Sequence, residues 1–505
     1  MRKSSEAKWK RDLRDSEAIC DDLVRFSKMT FRELKAYGED HHGHLCWLQL
    51  EPGNAFPMSV ESSDRFWAMT NRQLEVHPSR GDLDRSILNQ AIRHEYGVLI
   101  RSGGKLDRST VDKMLARAVR RASLKHCSKT RYLPCVVVGN YRPHEFKIGP
   151  VRFIYRDKFF AEYGEQIERD LSEKSAEQRE EEKRRARENA NFKIPSDAES
   201  ADVDRMTFES VIGYYKSHEW IAEVTIPPCD ERVSRERAEL VVQAALDILK
   251  IFFGSSRARG LRIAREPGVR TKTAALTREE DGRFEWALQY GGERDSALAS
   301  DGWFDQFSEE YAPELNAAGQ AIEVYLYGRE PKELATRWLD ALNWYGQGVS
   351  EPIASAKIVK YVAALERLSI TEKSGELTDT VTRRAALFAT QGNSEALPKT
   401  RAEARELYDW RSALMHGRSS PVAKYQLQSH ELQSVMYRGE QLLRSALLGA
   451  LAVYSNLIID GKMTDKHLEQ RLRELERAFG LVEAAPGRIA RLFDSIKRWW
   501  RRLFN

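Results

Sequence analysis

Arg411 and His416, five residues apart, are the side chains in this sequence best suited to proton transfer beside a fixed positive charge. Between Arg401 and Met415 the residues Ala404, Leu407, Tyr408, Leu414 and Met415 fall on one helical stripe, with Arg411 in its middle. A guanidinium rarely leaves water without a partner, because its desolvation is costly. Its place therefore calls for a carboxylate or an anionic ligand. Arg384 repeats the pattern among Leu377, Val381, Leu387 and Phe388. Glu366, beside Leu365 on the edge of the stripe Ile358, Val362, Leu365 and Ser369, offers one carboxylate to both arginines. For any single inward arginine, a buried structural ion-pair network accounts for the pattern as well as a ligand does.

On a regular helix a five-residue step turns a side chain by about 140°, so Arg411 and His416 converge only where the helix ends between or just after them. Gly417 is suited to the left-handed residue that closes a helix, and Ser419, Ser420 and Pro421 oppose continuation.

The run from Arg411 to His416, followed by Gly417, resembles the signature of HEPN domains, and most closely the Apea-like group. In that group an Ala-Leu-Glu helix, an Arg-Ala-Ala helix and a Tyr-x-x-Arg-Ser segment with a following His-Gly recur. Here these are Ala364 to Glu366, Arg384 to Ala386, Tyr408 to Ser412, and His416 with Gly417. The resemblance covers residues of about 331 to 465 and implies a dimeric, metal-independent endoribonuclease that needs no cofactor. It implies Arg411 on the scissile phosphate and His416 as the acid or base for attack by the neighbouring 2′-hydroxyl. Tyr408, Ser412, Glu366 and Arg384 would support them. It also implies a bacterial defence or stress effector. Ser412 departs from the Asn, Asp or His that many active members carry after the arginine. The competing expectation is a catalytically inactive interaction or oligomerisation module, in which Glu366 holds Arg411 as a structural charge.

Other segments offer binding chemistry. Lys113 to His144 holds eight lysines or arginines and no acid, so Arg117, Arg120, Arg121 and Lys125 are candidates for contacting an RNA backbone. An ordinary solvated helix face fits the same residues. The last 18 residues alternate apolar and aromatic side chains with six cations. Trp499, Trp500, Arg501 and Arg502 there suit a membrane surface or a protein partner, or packing back on the chain. His41, His42, His44 and Cys46 cluster without a second ligand pair at a zinc-like distance, so no metal site is expected. No phosphate-binding loop, dinucleotide fingerprint, zinc-protease motif or esterase elbow stands in a usable context.

The elements that must position these residues follow from pattern. In a chain of 505 residues, 41% apolar and 31% charged, two to four packed domains are expected. The formal charge is +5, and the last 18 residues supply that excess, so nucleic-acid affinity would have to come from local patches. Five scattered cysteines without a CxxC pair, and a charged N-terminus without an apolar core, suggest a cytoplasmic location. The longest near-apolar stretch, Ala446 to Ile459, is shorter than the roughly 18 to 20 residues that span a bilayer.

The expected fold class is α+β and multidomain. Residues 1–165 read as mixed α/β, 166–200 as a charged helical linker, and 201–330 as a second mixed α/β region. Residues 331–465 read as an all-α HEPN-like bundle and 466–505 as a helical tail.

Overall fold

A computed structural model of the chain describes residues 2–40, 45–51, 54–76, 81–103, 105–124, 126–137, 145–169, 180, 184, 210–264, 271–278, 284–291, 302–328, 332–371, 377–417 and 429–482. The class is α+β with helices dominant. Packing divides the chain into two units, Met1–Lys129 with Ile226–Arg237, and Thr130–Thr225 with Ala238–Asn505.

The first unit contains α1 (Arg2–Ser27), α2 (Phe31–Asp40), an antiparallel hairpin of β1 (Cys46–Glu51) and β2 (Asn54–Met58), α3 (Val60–Val76), α4 (Arg85–Arg101) and α5 (Arg108–Ser123). Two aspartates start helices: Asp84 accepts from the N–H groups of Ser86 and Ile87 ahead of α4, and Asp107 from that of Thr110 ahead of α5. Ile19, Leu23, Phe66, Met69, Tyr96 and Met114 form the core.

The second unit is built on a five-stranded sheet of β3 (Cys127–Val136), β4 (Glu145–Ile148), β5 (Val151–Tyr155), β6 (Trp220–Cys229) and β7 (Arg262–Ile263). Its order is β4-β5-β6-β3-β7, with β5 antiparallel to β6 from Tyr155 against Trp220 to Arg152 against Glu223. The sequence suggests that Pro227 and Pro228 close β6, yet the strand runs on to Cys229. On its β5 side the ladder ends at Glu223, so the missing proline N–H groups break none of those bonds.

Because β5 and β6 are neighbours, the charged run 166–200 connects two strands of one sheet rather than joining separate domains. Before it, residues 156–169 form α6; after it, residues 210–216 form α7. Within the run, Glu180 and Arg184 are helical and exposed.

Then follow α8 (Glu231–Phe253), the short α9 (Ser255–Ala258), an antiparallel hairpin of β8 (Thr271–Arg278) and β9 (Phe284–Gly291), α10 (Trp303–Glu310) and α11 (Ala312–Tyr327). Among its described residues the C-terminal region holds helices joined by turns and no strand: α12 (Glu333–Ser350), α13 (Ala354–Ser369), α14 (Leu377–Thr390), α15 (Leu397–Met415), α16 (Ser429–Ile459) and α17 (Asp465–Ala478). Trp338, Tyr345, Tyr361, Leu365, Phe388, Leu443 and Tyr454 are buried at its centre. Gly449 lets α16 lie directly on α14, since a Cβ there would collide with the Phe388 carbonyl.

By length and composition α16 could cross a membrane, which the shorter apolar stretch legible in the sequence does not suggest. In the structure 67% of that window is buried. The helix is also tied by charge. Arg444 donates to the carbonyls of Ile251 and Phe252, which the end of α8 leaves without helical partners. Glu440 accepts from the backbone N–H and hydroxyl of Ser255. Between these contacts, just after α8, Gly254 adopts φ 71° and ψ 172°, a positive-φ conformation that favours glycine.

Candidate active site around Arg411

The helix bearing Arg411 carries Pro398 in its first turn, where a missing N–H costs nothing. Ala404, Leu407 and Tyr408 are buried, whereas Met415 is 58% exposed, so the apolar stripe leaves the core in its last turn. Arg411 lies where it emerges, its side chain 28% exposed. One guanidinium nitrogen stands 3.7 Å from Glu366 Oε1, and the group lies over the Tyr408 ring at 5.6 Å. Tyr408 donates its hydroxyl to the same Glu366 oxygen at 3.1 Å. Burial, and then the nearby Glu366 charge, raise the Tyr408 pKa, so the phenol stays protonated and a donor. Glu366, Tyr408 and Arg411 thus form one cluster.

The helix stops where expected, with Met415 its last residue, His416 at φ −94° and Gly417 at φ 66°. The ending thus falls between the two functional positions, although the His416 N–H still bonds the Ser412 carbonyl at 3.0 Å. The five-residue step on this helix does not by itself bring Arg411 and His416 together. His416 is exposed and makes no side-chain hydrogen bond with any described residue; Ser412 is half-buried in the same turn.

Arg384 does not share Glu366. It is 2% exposed and is held on α17, with Nε on Glu476 at 3.0 Å, a second nitrogen on Glu469 at 3.1 Å and a third on the Ser369 carbonyl at 2.9 Å. Burial alone would raise the Glu469 pKa, but hydrogen bonds from Arg384, Thr371 and Arg473 outweigh it and bring it down to about 2. Arg337, 4% exposed, likewise joins Asp465 at the start of α17 to the carbonyls of Arg367 and Ile370 at the end of α13. The sequence reading missed these partners. A signal was present: Glu469 and Glu476 stand seven residues apart, in line with Leu468, Leu472 and Leu475, so two acids shared an apolar stripe as conspicuously as the arginines did.

In the first unit the proposed RNA-contacting residues divide. Arg117 bonds the buried Glu95 at 2.7 Å and Arg121 approaches it at 3.6 Å, so both neutralise a carboxylate while remaining half-exposed. Arg120 is exposed. Lys125, the histidines at 41, 42 and 44, and the tail residues Trp499, Trp500, Arg501 and Arg502 lie outside the described residues. Among the described residues no group of His, Cys, Asp and Glu could hold a metal ion. Comparison with known proteins finds no matching family model, no matching curated protein and no matching solved structure.

Proposed function

We propose that the C-terminal helices act as a metal-independent endoribonuclease of HEPN type, a bacterial defence or stress effector working as a homodimer. Arg411 binds the scissile phosphate and stabilises its developing charge, and His416 moves the proton of the attacking 2′-hydroxyl. The products are 2′,3′-cyclic phosphate and 5′-hydroxyl ends, and DNA resists cleavage.

One observation carries the proposal. The structural arginines Arg337 and Arg384 are almost fully buried in close hydrogen bonds, whereas Arg411 is partly solvated and loosely tethered at 3.7 Å. A cation held this way can exchange its carboxylate for a phosphate. Because a five-residue step on one helix does not by itself bring Arg411 and His416 together, the reading favours a site completed across the dimer, where residues of two copies face the same phosphodiester.

The test incubates wild type, Arg411→Ala and His416→Ala with total RNA in EDTA. Cleavage by wild type alone is the expected outcome, with cyclic phosphate ends. The same spacing also suits a non-enzymatic interaction module; an inactive wild type that still dimerises would favour that reading.

A further inference from the structure

Lys113, Arg117, Arg120 and Arg121 fall on one stripe of α5, and all four are exposed. The buried residues of the helix, Val111, Met114, Leu115, Ala118 and Ala122, occupy its other side. Two acids nearby do not cancel the stripe. Asp107 caps α5 on the Thr110 N–H. Asp112, about 100° round the helix from Lys113, faces Arg108 at 3.8 Å.

Among the described residues the carboxylate that meets the stripe is Glu95 of α4, which is buried. Arg117 donates Nε to it at 2.7 Å, and Arg121 approaches it at 3.6 Å. The acid therefore lies beneath two half-exposed guanidinium groups and holds them from the protein side. Arg117 keeps both terminal nitrogens free, and Arg121, too distant for a hydrogen bond, keeps all its donors. Lys113 and Arg120 make no hydrogen bond or ion pair with any described residue.

Four cations against one carboxylate leave a surplus of positive charge along about 12 Å of helix, from Lys113 to Arg121. The arginines present planar forks that suit pairs of phosphate oxygens. Anchoring by Glu95 reduces the freedom that two long side chains would lose on binding. A protein partner would call for an apolar or aromatic centre, and the stripe has only Leu124 at its end. A chain of repeated anions fits it better, and a phosphodiester backbone is such a chain.

We propose that this face of α5 binds the phosphodiester backbone of RNA without regard to base sequence. That the backbone is RNA rests on the ribonuclease reading of Arg411 and His416; the stripe itself reads phosphate. Its role is to hold the strand, not to break it.

The experiment measures binding of a single-stranded RNA to the full chain carrying His416→Ala, in EDTA and over a series of salt concentrations. Binding is read without cleavage, so a chain that cuts no RNA and a stripe that holds none give different results. Lys113→Gln combined with Arg120→Gln removes two charges that Glu95 does not hold, and an unchanged thermal midpoint shows that the variant folds. Its affinity should fall about tenfold, and the slope of log affinity against log salt should shrink by about 1.4, or about 0.7 for each lost phosphate contact. Lys10→Gln with Lys28→Gln, an equal change of charge on exposed positions of the first unit, should alter neither. No binding, an unchanged slope in the stripe variant or an equal loss in the control overturns the proposal. Polyglutamate displacing RNA at equal charge concentration also overturns it, in favour of an acidic polypeptide.

Discussion

Three inward arginines on neighbouring helices have different roles, and burial distinguishes them. Arg384 and Arg337 are enclosed and fully bonded; Arg411 keeps contact with water. Removing one partner of a buried pair leaves an uncompensated charge and costs about 3 to 5 kcal/mol, whereas a partly exposed pair is worth about 1 kcal/mol or less. Arg384→Ala should therefore lower unfolding stability by several kcal/mol, while Arg411→Ala changes it by about 1 kcal/mol or less. Urea titration checks both, and an unfolded Arg411→Ala would return that residue to a structural role. The sequence announced that these arginines needed partners, because a cation on an apolar stripe is visible in the spacing alone. It could not reveal which carboxylate answered, since Glu366 and Glu469 compete across distances fixed only by packing.

At the scale of elements, the stripe of Leu377, Val381, Leu387 and Phe388 lies on one helix, α14, and Gly417 marked the end of α15. Strand limits were harder to read, as β6 shows, because they depend on which neighbour pairs with which residue. The docking of α17 also lay beyond sequence reasoning. It rests on carboxylates that bury only once Arg384 is in place, and this makes it sensitive to acid. Glu469 has its folded pKa depressed to about 2 from an ordinary value of 4.5. Its contribution is present above the ordinary value and disappears as pH falls through the folded one, a difference on the order of 3 kcal/mol. Chemical denaturation between about pH 5 and pH 2 should show this loss, and Glu469→Gln should flatten the slope over that interval. An unchanged slope would mean that Glu469 does not drive the docking.

For the molecule as a whole, the α+β class was legible in the mixture of patterns, but its partition was not. A long run of alternating charges looks like a boundary, and sequence alone cannot show that the chain returns to pair Tyr155 with Trp220. This arrangement predicts how a cut chain behaves. A protease site inserted between residues 185 and 200 should give two fragments that elute together under native conditions and separate in denaturant. Separation without denaturant would show that the sheet does not hold the two segments.

The Glu366 carboxylate receives both Tyr408 and Arg411 on the same oxygen, Oε1. The phenol donates a hydrogen bond to that oxygen, whereas the guanidinium at 3.7 Å only faces it as a counter-ion, so the carboxylate stays anchored when the guanidinium departs. The phenol can go on gripping the glutamate after the guanidinium swings away, so a docking event at Arg411 can come and go with little disturbance of the helices beneath it.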